Sequence, residues 1–310
     1  MIPLRFLAPR YWLTWLAIGI LRTLEQLPYP HLVRAGRVLG RLARRLPLNY
    51  IKVARCNMRL CLPELTDAAR EELLGRHFEA LGVTMCESAM SWWSCDERIA
   101  KLSRIEGVEH LEQALAAGRG AIILTAHFTT LEIGARILNT TGIPMNVLYR
   151  PPKNQLLAHV ANTNRRSFAR GAMDRTIERD DIRGMVRALR RNACVWYAPD
   201  QSYRNKGAEM VPFFGIPAAT NVATSRLAQL TGAAVLLYSH ERLADAKGYR
   251  VVIGPVLKGY PSGSTQVDAL RFNHFIEEQV RRIPEQYWWI HRRFKGLTPD
   301  YPNYYGDAAR

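Results

Sequence analysis

No uncharged apolar run in this chain is long enough to cross a bilayer. The stretch Tyr11 to Leu21 reaches only about half of the ~20 residues a spanning helix requires, and Arg5, Arg10 and Arg22 flank it. No small-residue cleavage site follows, and arginine is abundant downstream, which argues against a secretory signal. Cysteine is sparse. Cys56, Cys61, Cys86, Cys95 and Cys194 form an odd set without paired CxxC spacing, so they read as reduced thiols facing the cytosol, and no metal site is implied. No repeat or low-complexity linker divides the chain, so one large domain is expected. Acidic residues are short, at 27 against 43 Lys and Arg, for a net charge of +16. Such an imbalance attracts phosphates, anionic lipid or an acidic protein. Nucleic acid would answer the same charge, but zinc-finger spacing, an aromatic RNA-binding signature and a basic helix with heptads are all missing, and it is not expected as a partner.

Residues 1–28, MIPLRFLAPRYWLTWLAIGILRTLEQLP, fit an amphipathic or partly inserted anchor, with Trp12 and Trp15 at headgroup depth and arginines on phosphates. An ordinary core helix is the alternative. From Pro30 to Arg59 arginines recur while Leu32, Leu39, Leu42 and Leu46 keep helical spacing, as in a helix lying on an anionic bilayer or one with a solvated basic face. Thr66 is placed to cap a further helix whose stripe Leu74, Phe78, Leu81, Met85, Ala89 and Trp92 reads as core or as the wall of an acyl-chain tunnel.

The most informative stretch is AIILTAHFTTLEIGARIL, residues 121–138. Ala121 to Ala126 reads as a buried strand, and helix-compatible spacing follows, with Thr129 or Thr130 as cap. His127 then sits at a strand-to-helix turn, at the sheet edge where open α/β folds gather ligands. Glu132, five residues on, is placed to reach back to one imidazole nitrogen, fixing the tautomer and leaving the other nitrogen as a base for activating a hydroxyl. The same spacing recurs at His240 and Asp245, where a hairpin turn presents the acid, and that match reads as incidental. A hydrogen-bonded structural histidine remains the alternative at His127.

Beyond this unit, Met145 to Tyr149 reads as a strand ending in Arg150-Pro151-Pro152. Its stiff backbone favours a fixed Arg150 contact with phosphate or carboxylate, or else a surface ion pair. A basic stretch leads through the helix DDIRGMVRALRR to the strand ACVWYA and then Pro199-Asp200-Gln201. Strand, helix and strand again argue a largely parallel α/β sheet, with polar residues collecting on one edge. VPFFGIPAATN reads as an apolar turn, Asn221 as a helix cap, and AAVLLYS with YRVVIG as a hairpin. After a last helix to Ile283, the tail QYWWIHRRFK sets Tyr287, Trp288, Trp289 and Phe294 beside Arg292, Arg293 and Lys295, a combination suited to an interface with one apolar and one wet end.

HFTTLE, the YRP step, WYAPDQ, VPFFG with AAT, and PEQYWWIHRRFK resemble, in this order, the motifs of the bacterial lipid A biosynthesis late acyltransferases, the lauroyl-transferring type above all. PRYWLTWL and LPYP resemble that family's opening, so the likeness spans almost the whole chain. It implies a glycerolipid acyltransferase-like α/β fold, with a mixed, largely parallel central sheet flanked by helices. A membrane-anchoring helix (1–28) would precede a single acyltransferase domain (29–310). It also implies transfer of a fatty acyl group, lauroyl or similar, from acyl carrier protein to a hydroxyl of a phosphorylated, Kdo-bearing lipid A precursor. The expected place is the cytoplasmic face of the bacterial inner membrane, against anionic lipids, without a cofactor beyond the acyl-carrier cosubstrate. His127 and Glu132 take the position of the family's catalytic dyad, while Arg150, Asp200 and Gln201 fall in segments the family places around the site. Arg150, with Arg292 and Arg293 as further candidates, would bind the acceptor's phosphate. Glutamate in place of the aspartate of many glycerolipid acyltransferases, and the absence of an FPEGTRS-like block, favour a lipid A acceptor over lysophosphatidate. The rival readings are a lysophospholipid acyltransferase and, in another class, a non-enzymatic membrane-surface or polyanion-binding protein whose His127 is structural.

Overall fold

Helices fill the first hundred residues. The computed structural model describes residues 3–149, 153–167, 176–178, 181–205 and 207–306. It opens with α1 (Trp12–Glu25), α2 (Tyr29–Arg44), α3 (Asn49–Cys61), α4 (Asp67–Trp93) and α5 (Asp96–Lys101). Thr66 caps α4 as its sequence suggests, accepting from the Ala69 amide at 3.2 Å. α2 lies against α4 through glycine. A Cβ on Gly40 would stand 2.0 Å from the Phe78 carbonyl oxygen, and one on Gly82 would stand 2.1 Å from that of Gly36. Only bare backbones approach this closely, so the packed face of α2 is Tyr29, Leu32, Val33, Gly36 and Gly40. The spacing of Leu32, Leu39, Leu42 and Leu46 therefore does not mark one buried stripe: Leu32 is buried, whereas Leu39, Leu42 and Leu46 face outward among the arginines.

α1 buries Ile18 against Phe6, Tyr11 and Leu156, and leaves Trp12, Leu13, Leu16 and Ile20 exposed, Leu13 to 81%. Among the described residues no helix is long and apolar enough to cross a membrane, so a spanning anchor in residues 1–28 gains no support.

The α/β part continues through β1 (Ser103–Glu106), α6 (Val108–Ala116), β2 (Ala121–Leu124), α7 (Leu131–Asn139), β3 (Met145–Tyr149), α8 (Gln155–Ser167) and β4 (Thr176–Glu178). Then come α9 (Ile182–Arg190), β5 (Cys194–Tyr197), β6 (Ala208–Phe213), β7 (Ile216–Asn221), α10 (Ala223–Thr231), β8 (Ala234–Arg242), β9 (Tyr249–Val256) and α11 (Thr265–Arg282). Seven strands form one sheet in the order β1-β9-β8-β2-β5-β3-β4. Every pairing in it is parallel except β8 with β9, the expected hairpin. The mixed, largely parallel sheet flanked by helices is thus the expected fold class.

Parallel strands covered on both faces read as continuous apolar runs, and β2 and β5 are buried at every residue. Their side chains alternate between two cores. Ile122, Leu124, Val195 and Tyr197 pack toward α3, α9, α10 and α11, whereas Ala121, Ile123, Cys194 and Trp196 pack toward α2, α6 and α7. The segment VPFFGIPAATN is not a mere turn. It forms the antiparallel β6–β7 hairpin, in which Phe213 pairs with Ile216 and the two loop residues, Phe214 and Gly215, both adopt positive φ.

Candidate active site

The sheet register creates the site. Leu124 on β2 pairs with Tyr197 on β5 and with Leu237 on β8. His127, Asp200 and His240 each stand three residues beyond those paired positions, and so emerge side by side. His127 Nδ1 lies 2.6 Å from Asp200 Oδ1, and the His127 backbone N–H donates to Asp200 Oδ2 at 3.0 Å. Asp200 is buried and His127 partly exposed. Burial works to raise the Asp200 carboxyl, but the charge of His127 and the two hydrogen bonds from that residue outweigh it, with Arg293 behind, and hold the group below the ordinary carboxylate range. An ionised carboxylate only accepts, so Nδ1 carries the hydrogen, and in the neutral imidazole the lone pair is on Nε2.

This pairing replaces the expected one. Glu132 sits in the first turn of α7 but turns toward α4 and α8: Arg165 grips it with Nε to Oε1 at 2.8 Å and Nη2 to Oε2 at 2.6 Å, and Trp92 Nε1 donates to Oε1 at 2.9 Å. Burial opposes its charge, yet Arg165 and Trp92 keep its carboxyl below the usual range. A bidentate guanidinium satisfies a carboxylate more fully than one imidazole N–H does, and Asp200 already occupies Nδ1.

The His240–Asp245 spacing is incidental, as expected: Asp245 lies exposed in the turn between β8 and β9, paired with Lys247, while His240 has other partners. His240 is buried, with Nδ1 2.8 Å from Thr130 Oγ1 and Nε2 3.1 Å from Thr125 Oγ1, so it joins the two ends of the loop that carries His127. Burial pushes its pKa down to about 3. On its other side the loop is strapped by the tail. The Thr129 N–H donates to the Gln286 carbonyl at 2.7 Å, the Trp288 N–H donates to the His127 carbonyl at 3.0 Å, and Phe128 bridges Tyr287 in antiparallel fashion.

The tail is therefore a structural clamp, correcting its reading as an apolar and wet interface. Tyr287, Trp289 and Phe294 are buried, and Asn57 Nδ2 ties the Trp289 and His291 carbonyls at 2.6 and 2.7 Å. Arg293, expected to meet phosphate, is only 2% exposed; its guanidinium donates to the Ala219 carbonyl and Thr220 Oγ1, each at 2.9 Å, and lies over the Phe213 ring. His291, which sequence reasoning passed over, accepts from the Ser202 N–H at 2.9 Å, and burial lowers its pKa to about 4. Arg292 is half-buried, and Arg150 lies outside the described residues. Among the described residues no cluster of His, Cys, Asp and Glu is arranged to hold a metal.

His127 stands on the wall of a cavity of about 370 Å³. Leu148, Ile182, Met185, Trp196, Tyr197 and Leu227 give it apolar walls, while Gln201, Ser202, Asn205 and Asn221 add polar groups. That volume and mixed lining suit an organic ligand with an apolar part. The α4 stripe supplies core through Leu74, Phe78, Ala89 and Trp92, while Met85 is exposed, and none of it lines this wall.

The family of bacterial lipid A biosynthesis acyltransferases matches residues 3–296. The chain is 41% identical over 291 residues to the lipid A biosynthesis palmitoleoyltransferase of Escherichia coli (strain K12), covering 94% of this chain and 93% of that protein. It is 36% identical over 300 residues to the lipid A biosynthesis lauroyltransferase of the same organism, with 96% of each chain covered. With the lipid A biosynthesis myristoyltransferase of that organism it shares 29% identity over 301 residues, 95% of this chain and 90% of the other.

Proposed function

The chain belongs to the bacterial lipid A biosynthesis acyltransferases, and from that premise we propose that it moves a fatty acyl group, such as lauroyl or palmitoleoyl, from acyl carrier protein to a hydroxyl of a phosphorylated, Kdo-bearing lipid A precursor. The observation that carries this reading is the His127–Asp200 pair at the wall of a cavity with both apolar and polar lining. The acyl chain lies in the cavity with its thioester carbonyl at His127. The acceptor hydroxyl attacks that carbon as its proton passes to His127 Nε2, and the carbon–sulfur bond then breaks. The leaving thiolate takes the proton back from the imidazolium, which Asp200 steadies throughout. Glu132 acts one step away, fastening Arg165 and α8 to the start of α7. Gln201 lines the cavity, and Arg150 and Arg292 are assigned to the acceptor's phosphate.

The exposed Leu4, Leu7, Trp12, Leu13, Leu16 and Ile20, with Leu42 on α2 and Leu46 just beyond its end, support attachment to the cytoplasmic face of the inner membrane by interfacial insertion. The test is to offer purified protein the acyl carrier thioester together with either the lipid A precursor or lysophosphatidate, and to weigh the products. One acyl group should appear on the lipid A precursor, and His127→Ala should lower its rate by ~10² to 10⁴. Acylation of lysophosphatidate alone, or polyanion binding with no product from either acceptor, overturns the proposal.

A further inference from the structure

We infer that the outer face of α9 is the dock for the acyl donor, and that its partner is a carboxylate-rich carrier protein presenting the acyl group as a thioester. This rests on the donor proposed above. α9 has two opposed faces. Met185 and Leu189 are buried, Met185 in the cavity wall, and Ile182 at the first turn belongs to that wall while remaining 46% exposed, which places it at the rim. Arg183, Arg187, Arg190 and Arg191 recur at helical spacing on the other side, and all four are exposed. Among the described residues their only near carboxylate is Asp181, which caps the Gly184 N–H through one oxygen and stands 3.8 Å from Arg187 through the other. Among the described residues, Arg183, Arg190 and Arg191 have no acidic partner within salt-bridge distance. One helix thus walls the acyl cavity with one face and offers a nearly uncompensated arginine stripe with the other. A carrier seated on that stripe is held beside the rim through which its acyl chain must pass.

Charge complementarity of this kind raises encounter rates and fixes register, and salt weakens it. A lipid bilayer would answer the same charge, but the composition of the face argues for protein. Interfacial helices pair their basic residues with apolar ones that insert. The exposed apolar residues near the N-terminus and on α2 provide that pairing, whereas the α9 stripe contains arginine and no exposed apolar side chain except Ile182 at the rim.

The experiment compares wild type with the full-length triple variant Arg183→Glu/Arg187→Glu/Arg190→Glu, and with its milder counterpart carrying Gln at all three positions. Each receives the same acyl group on the carrier protein or on free pantetheine. KM for the carrier thioester should rise at least about tenfold in the Glu variant and less in the Gln variant, with the gap closing as salt is raised. Turnover of the pantetheine thioester and cosedimentation with anionic vesicles should match wild type. Unchanged KM for the carrier in the Gln variant, which leaves the helix intact if charge reversal does not, overturns the dock while the donor assignment stands. Loss of vesicle binding with unchanged carrier KM overturns it in favour of a membrane-facing helix. Wild-type protein that uses the pantetheine thioester but not the carrier thioester overturns the donor and the dock together.

Discussion

Replacing Asp200 by Asn separates the two carboxylates that compete for the role of His127's partner. The substitution keeps size and shape. Its amide oxygen still accepts the His127 backbone N–H that now sits 3.0 Å from Oδ2, so the turn should hold. What disappears is the charge opposite Nδ1, 2.6 Å away. An amide NH₂ facing Nδ1 favours the tautomer with its hydrogen on Nε2, and the nitrogen proposed as the base is then blocked. Loss of a general base costs ~10² to 10⁴ in rate. Because each factor of ten is worth about 1.4 kcal/mol, the barrier should rise by about 3 to 5.5 kcal/mol. Single-turnover rates with acyl carrier thioester and lipid A precursor read this directly, and thermal denaturation checks that the fold survives. Glu132→Gln is the control. It weakens the grip of Arg165 and Trp92 without touching the imidazole, so its rate loss should be well below that of Asp200→Asn. A folded Asp200→Asn protein within about threefold of wild type, beside an inactive Glu132→Gln, would refute the assignment and return Glu132 to the position opposite His127.

His240→Ala leaves the Thr125 and Thr130 hydroxyls without their buried partner and opens space beneath the His127 loop. It should cost about 2 to 4 kcal/mol and lower Tm by several degrees; an unchanged Tm would show that the bridge contributes nothing. Acid should also destabilise the protein well before its carboxylates titrate. His77, His240 and His291 have folded pKa values of about 4, about 3 and about 4, below the ordinary 6.5, so under pH 6.5 the unfolded chain takes up protons the native state refuses. Stability is then fully present above pH 6.5 and falls as pH drops toward 4, by at most about 1.4 kcal/mol per histidine per pH unit. Urea midpoints that stay flat from pH 7 to pH 5 would contradict this.

Strands buried on both faces were legible in the sequence because each needs an unbroken apolar run, and AIIL, CVWY and AVLLYS supply it. β1 and β4 were not. Ser103–Glu106 and Thr176–Glu178 are short edge strands with charged residues, held by their neighbours' backbones and carrying no apolar signature of their own. The α2–α4 crossing was hidden for a related reason. Periodicity weighs side chains, and the contact is made where Gly36, Gly40 and Gly82 have none.

The site divides along the same line. Recognising His127 required only a strand followed by a helix, which is local information. Choosing its partner required knowing which strands are neighbours, and sequence proximity pointed to Glu132 because a helix brings a residue a few positions on to the same end. A helix also turns by about 100° per residue, and at Glu132 that turn faces Trp92 and Arg165 rather than the imidazole. The usable signal was positional. If β2 and β5 are taken as adjacent parallel strands, ILTAH and WYAPD align with His127 opposite Asp200, because parallel partners keep a constant offset beyond their last pair. Applied to β8, the same offset places His240 on the far side of His127 and assigns it the loop beneath that residue. Residues that leave one edge of a parallel sheet in register meet there whatever their separation along the chain. Strand order, more than the spacing of a motif, therefore decides which carboxylate a strand-end histidine receives.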